Sequence, residues 1–289
     1  MQRTILLKNK NKIKNSLKKH LINFGFKFFN NFNQYDIWKE NYFKKINISN
    51  DTKKQYLRFL NKNLINRNYS LGDDFYDLIA KQKKLMLITH SMKSNEILNS
   101  GLSVINELKE NSNIVDVGCN SGYLTSFYAK VFPNSNFIGF DKSKNSILQA
   151  SKIFNFEQYN NLVLSYDYNI LSKYRFNFII DTQCFCTLNK KELFVIVELL
   201  KKSLHSNVKI ISISNLRNEE NADIFFNLFK KKGLFVESIS PLFVDSLSGI
   251  VAYTKIIFSE KNNNNNYNLN LYFNNIRKKI SIVNLFNLN

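Results

Sequence analysis

Between Asn113 and Ser259, short apolar runs alternate with amphipathic stretches. The runs NIVDV, NFIGF, LVLSY, FNFIID, VKIISIS, LFVESIS and IVAYTKIIF are rich in Ile, Val, Leu and Phe and are predicted strands. Three- and four-residue spacing between them predicts helices starting near Tyr123, Asn145, Lys190 and Glu219. Such alternation implies a parallel sheet covered by helices on both faces. Only PLFVDSLSG separates the last two runs, too little for a crossover helix, so that pair is expected to be an antiparallel hairpin. The expected fold class is α/β: a seven-stranded, mostly parallel sheet with an antiparallel last hairpin, preceded by an N-terminal helical region.

Upstream, residues 36–110 carry the helical period in DIWKENYFKKI, TKKQYLRFLNKNLI, DDFYDLIAKQKKLMLI and NEILNSGLSVINELKE, with Asp51 and Ser94 as expected N-caps. This region is read as a cap or lid over the sheet domain at 111–260, or alternatively as a dimerisation surface. Residues 1–35 are basic and acid-free, and are expected to be an extension: frayed, an organellar presequence or a surface-anchoring helix. Residues 261–289 open with an asparagine run, KNNNNNYNLN, expected to be a loop or linker in a C-terminal tail.

The formal charge of +19 changes this picture little. Twelve of the 41 basic residues lie before Asp36 or after Glu260, where there is no acid, so the chain between is only mildly basic. The abundance of Lys, Asn, Ile, Phe and Tyr, with two prolines, also matches the coding bias of an AT-rich genome. Basic tails could bind phosphates in a salt-dependent way. They are expected to be dispensable for small-ligand binding in a span of residues 36–260. Three cysteines without metal-like spacing suit a reducing, cytoplasmic compartment, with organellar import if residues 1–35 are a presequence. No apolar run approaches the roughly 18 residues needed to span a bilayer, so no integral membrane segment is expected.

The chemistry lies at the first strand-to-helix turn, Val115-Asp116-Val117-Gly118-Cys119-Asn120-Ser121-Gly122-Tyr123. Glycines there let the backbone turn sharply and a ligand approach without an intervening Cβ. A glycine of the dinucleotide fingerprint is absent at position 120, where Asn120 stands in its place. The turn resembles the S-adenosyl-L-methionine motif of class I methyltransferases, an acid followed by G-x-x-x-G, on a Rossmann-like sheet. The resemblance covers about half the chain. It implies that Asp116, Gly118, Asn120 and Gly122 cradle the cationic amino-acid end of this cofactor. Asp141, ending FIGFD and followed by Lys142, would then accept the ribose hydroxyls. Asp167 would receive the adenine amino group, with Tyr168 or Tyr166 along the ring.

For the methyl acceptor, the resemblance points to the end of the fourth run, where Asp181, Thr182 and Gln183 are candidates for orienting or deprotonating it. The Asn/Asp-Pro-Pro-aromatic motif of amino-methylating enzymes is missing, as is the Pro-Cys of cytosine-5 RNA enzymes. Cys184 and Cys186 read as small core residues. His90, in LITHSMK, is a candidate base or an ordinary loop histidine, whereas His20 and His205 read as exposed helix residues. No metal site is expected. The expected function is methyl transfer to a small-molecule acceptor, with RNA as the alternative partner and a non-catalytic cofactor-binding scaffold as the third reading.

Overall fold

The computed structural model describes residues 10–66, 72–153, 158–214, 219–261, 271–276 and 278–279; the asparagine run after Lys261 lies outside them. The sheet is built from β1 (Asn113–Val117), β2 (Asn136–Phe140), β3 (Leu162–Ser165), β4 (Phe176–Thr182), β5 (Leu204–Ser214), β6 (Phe235–Ser246) and β7 (Gly249–Ser259). Its order is β3-β2-β1-β4-β5-β7-β6. The pairs β1–β2, β1–β4, β2–β3 and β4–β5 are parallel, while β7 runs antiparallel to both neighbours, β5 and β6. The chain therefore leaves β1 towards one edge and returns beside it as β4, which opens a crevice at the carboxyl ends of β1 and β4.

Successive residues of a strand point to opposite faces, and both faces here are covered. Ile114, Phe178, Ile180, Ile211 and Ile213 belong to one core, whereas Val115, Val117, Ile179 and Ile210 belong to another. This is why the strands read as unbroken apolar runs rather than as alternating ones. The β6–β7 connection differs from expectation. Residues of PLFVDSLSG up to Ser246 belong to β6, Ser246 pairs with Gly249, and the turn is only Leu247 and Ser248. Pro241 sits within β6 because β6 is an edge strand, where a missing N–H need not cost a ladder bond.

Among the described residues, six helices precede the sheet: α1 (Lys10–Asn23), α2 (Phe32–Lys45), α3 (Asn50–Asn66), α4 (Gly72–Lys81), α5 (Lys83–Met92) and α6 (Ser94–Ile105). The single helix expected over DDFYDLIAKQKKLMLI is divided at Gln82, whose backbone is extended, into α4 and α5. The cap of α3 is Ser49, whose Oγ accepts from the Thr52 amide; the expected Asp51 lies in the first turn, where its charge still favours the helix dipole. Ser94 likewise is the first residue of α6, after Lys93.

The reading of residues 1–35 as an extension is corrected for the part described. In α1, Ile13, Leu17 and Leu21 recur every four residues and are buried, followed by buried Phe24 and Phe26. This stripe lies on α6 and on α7 (Tyr123–Val131). Gly101 of α6 marks the closeness: a Cβ there would come within 2.9 Å of Leu124 and 3.0 Å of Leu17. One core runs from Ile13 through Phe75, Ile88 and Ile114 to Tyr253, so packing is continuous across the boundaries expected at 35 and 110. Trp38 packs among Phe29, Tyr35 and Tyr42.

The opposite face is covered by α10 (Lys190–Lys201) and α11 (Glu219–Lys230), with α8 (Lys144–Ile153) and the short α9 (Ile170–Lys173) completing the connections. Residues 271–276 are also helical, and Phe273 joins this second core. Among the described residues no helix is long and apolar enough to cross a membrane.

Candidate active site

A cavity of about 460 Å³ opens at the carboxyl ends of β1, β2 and β4 and is roofed by α4, α5 and α6. That is within the roughly 300–1,000 Å³ usual for small-ligand sites. Its floor is the turn after β1. Gly118, Asn120 and Gly122 all have positive φ, at 78°, 52° and 70°. Asparagine is among the few side chains that accept this region, so Asn120 takes the place of a glycine without breaking the turn. The turn is pinned to β2: the amides of Gly118 and Cys119 donate to the Phe140 carbonyl at 2.7 and 3.0 Å.

Besides the turn, glycine at 118 has a second reason that the sequence did not show. A Cβ there would lie 2.4 Å from Cys184 Cβ and 2.6 Å from its Sγ, so the space is taken by the chain after β4. At Gly122 the neighbour is Leu164, at 2.7 Å.

Asp116, the penultimate residue of β1, lines the cavity and is 4% exposed. Its partner is the Thr125 hydroxyl, which donates to Oδ2, and among the described residues no basic side chain pairs with it. Burial, with smaller contributions from Asp181 and Asp141, pushes its carboxyl up to about 7. A buried carboxylate short of a cation is what a cationic ligand would complete. Asp141 follows β2; its Oδ2 accepts from the Asn120 amide and its Oδ1 from the Ser143 amide, both at 2.8 Å. The next residue, Lys142, lines the cavity and pairs with Glu192 at 2.7 Å.

Two expected cofactor residues are not brought into the cavity wall. Asp167 is exposed beyond β3 and accepts from the Asn169 amide, closing its own turn. Tyr168 packs edge-on against Phe140 with ring centres 5.0 Å apart. The wall near Lys142 is instead apolar, with Phe140, Leu188 and Ile196. Leu188 and the cap residue Tyr76 are cavity residues that the sequence reading missed, because nothing in their local pattern separates them from ordinary core positions.

The expected base Asp181 is also corrected. It is fully buried and does not reach the cavity wall. Its Oδ1 accepts from the amides of Cys184 and Phe185 and its Oδ2 from the Ser212 hydroxyl. Burial raises its carboxyl to about 6 against these hydrogen bonds. Asp181 braces the turn after β4, where Gln183 has φ 63° and lines the cavity beside Thr182.

His90 does line the cavity, in the last turn of α5 rather than in a loop. It is 7% exposed, and burial, followed by Lys93, lowers its imidazole to about 3. His20 is not exposed as expected. Its Nε2–H donates to the Tyr123 carbonyl at 2.9 Å, next to Ser126 Oγ at 3.2 Å, and burial lowers its pKa to about 4. It thereby fastens α1 to the first turn of α7, directly after Gly122. His205 is exposed as expected but lies at the start of β5, not on a helix.

The sheet order with its reversed β7, the G-x-x-x-G turn and the acid that follows β2 together define a class I S-adenosylmethionine-dependent methyltransferase. The sequence profile described as "Methyltransferase domain" matches residues 108–277, and the chain belongs to this family. S-adenosyl-L-methionine is its methyl donor, and when bound supplies an electrophilic methyl group on a sulfonium. Solved structures similar to the chain include a SAM-dependent methyltransferase from Aquifex aeolicus, at 16% identity over 54% of this chain and 88% of that one, TM-score 0.44. Another is a ribosomal protein L11 methylase from Lactobacillus delbrueckii subsp. bulgaricus, at 13% identity over 57% and 78%, TM-score 0.45. TehB from Haemophilus influenzae is similar at 13% identity over 61% and 66%, TM-score 0.46. No curated protein matches the chain.

Proposed function

We propose that this enzyme methylates a small, non-anionic molecule held between the donor cradle and helices α4–α6. The observation that carries this reading is the charge of the cavity. Among the described residues, Asp74, Asp77, Glu96, Asp116 and Asp141 line it against Lys93 and Lys142, in a protein of net charge +19. An acidic, roofed cavity repels a phosphate backbone, whereas an RNA enzyme would be expected to carry its basic charge at the mouth of the site. In this reading Asp116 faces the donor's ammonium, Asp141 its ribose, and the apolar wall at Phe140, Leu188 and Ile196 its base. The protein then contributes chiefly by holding acceptor and donor together, an effect worth about 7–11 kcal/mol in favourable cases. Cys119, Cys184 and Cys186 are not joined in disulfides, which fits a reducing, cytoplasmic compartment.

The test is transfer of labelled methyl from S-adenosylmethionine into a cell extract that is then separated into small molecules, protein and RNA. Label is expected in the small-molecule fraction; label in RNA alone would reject the reading. In the same assay Asp141→Ala should transfer little, and calorimetry should show donor affinity weakened by about 1.5–3 kcal/mol, as for lost hydrogen bonds to a charged group.

Asp116 makes donor affinity depend on pH. The donor's cationic end selects the carboxylate, whose pKa of about 7 in the free protein means that binding below pH 7 must expel a proton. Affinity should therefore fall as pH drops below 7, approaching about tenfold per unit. Asp116→Asn should bind more weakly at pH 8 and show a flat profile between pH 5.5 and 8. Parallel profiles for the two proteins would remove Asp116 from this role.

A further inference from the structure

Two residues in the walls of the cavity carry buried polar atoms that find no hydrogen-bond partner among the described residues, His90 Nδ1 and Thr182 Oγ1. Such atoms lower stability, and an apolar residue of similar shape at either place would avoid the loss. The surroundings of His90 favour that replacement: the rings of Phe26 and Tyr123 meet the imidazole edge-on at 5.4 and 5.2 Å. The two residues come from opposite sides of the site, His90 from the roof helix α5 and Thr182 from the end of β4.

We propose that His90 and Thr182 form the acceptor subsite and bind an uncharged hydroxyl compound, each satisfying its orphaned atom on the ligand. This rests on the small-molecule reading above and deepens it. A hydroxyl both donates and accepts, which suits a neutral imidazole and a threonine hydroxyl. The imidazole stays uncharged across the physiological range because burial holds its pKa near 3. Lys93 adds positive potential at His90, which disfavours a cationic group there, while Glu96 and Asp74 in the same walls disfavour an anionic one. In this reading the donor's ammonium is met by Asp116, so the acceptor is not needed to balance that carboxylate. His90 and Thr182 are thus positioning residues for the acceptor.

The experiment uses the full chain saturated with S-adenosylhomocysteine, with phenol, benzoate and benzylamine as probes in saturation-transfer NMR. Phenol should bind, and the two charged probes should bind at least about tenfold more weakly. His90→Phe and Thr182→Val should each weaken phenol binding about tenfold, leave S-adenosylhomocysteine affinity unchanged and raise Tm by about 2–4 °C. Thr182→Ser should keep phenol binding. Unchanged phenol binding in both apolar variants, stronger binding of a charged probe, or a lowered Tm in both would overturn the proposal. Failure of the small-molecule reading itself would look different: label in RNA, with all three probes inert on wild type.

Discussion

Gly118→Val should abolish detectable binding of S-adenosylmethionine by calorimetry. Two separate physical effects combine. The residue has φ 78°, a region that β-branched side chains almost never occupy. The new Cβ would also meet Cys184 Cβ at 2.4 Å, so either the glycine turn or the chain after β4 must move. Both carry cavity walls. The two effects can be separated, because Cys184 Cβ and Sγ are the atoms in the way and Cys184 Cα lies at 3.7 Å. Gly118→Ala alone should lose most affinity, whereas Gly118→Ala with Cys184→Gly should recover part of it, leaving the backbone strain of about 1–2 kcal/mol per left-handed residue. A Gly118→Val protein with wild-type affinity, or a double variant no better than the single one, would show that Cys184 is not what glycine accommodates.

Removal of residues 1–35 should prevent folding rather than spare it. Ile13, Leu17, Leu21, Phe24 and Phe26 are all at or below 5% exposure. At about 1.5–3 kcal/mol for each buried apolar side chain, their loss is of the same order as the roughly 5–15 kcal/mol that holds a whole domain together. The truncation also takes His20 from the Tyr123 carbonyl and uncovers Leu124 and Phe127 on α7, the helix that starts from the donor turn. Circular dichroism of the shortened protein should show no cooperative melt, and donor binding should be absent. A shortened protein that melts cooperatively near the wild-type Tm would show that α1 is an appendage after all.

Legibility in the sequence followed the physics of each segment. β1 and β2 have the expected bounds because a strand buried on both faces is a compact run of Ile, Val and Phe, cut off by the glycine turn or by Asp141. The helix starts expected at Tyr123, Lys190 and Glu219 are those observed. α1 was obscured because its apolar stripe is one residue in four, set among lysines that read as a solvated tail; the spacing of Ile13, Leu17 and Leu21 was the available signal. Pro241 read as a break because edge position is a property of the sheet, not of the strand. Asp116, Gly118, Asn120 and Asp141, expected at the cofactor, do line the cavity, because each sits at or beside a strand-end turn that the local sequence sets. Asp181 was misassigned because it is the neighbouring Ser212 that turns its carboxylate into a brace, and that pairing joins residues 31 apart in sequence. Asp167 likewise satisfies itself on the Asn169 amide, a local bond that a single strand-end acid does not announce.

The core that joins Ile13, Phe75 and Ile88 to Ile114 and Ile213 limits how this enzyme can change its acceptor in evolution. A lid attached by a linker can be exchanged as a cassette for another lid. Here each helix of the roof is also part of the packing beneath the donor site, so a foreign segment would have to match it residue for residue. New acceptors are therefore reached most readily by point changes at positions such as Tyr76, His90, Lys93 and Ile97, which face the cavity while the scaffold behind them is kept.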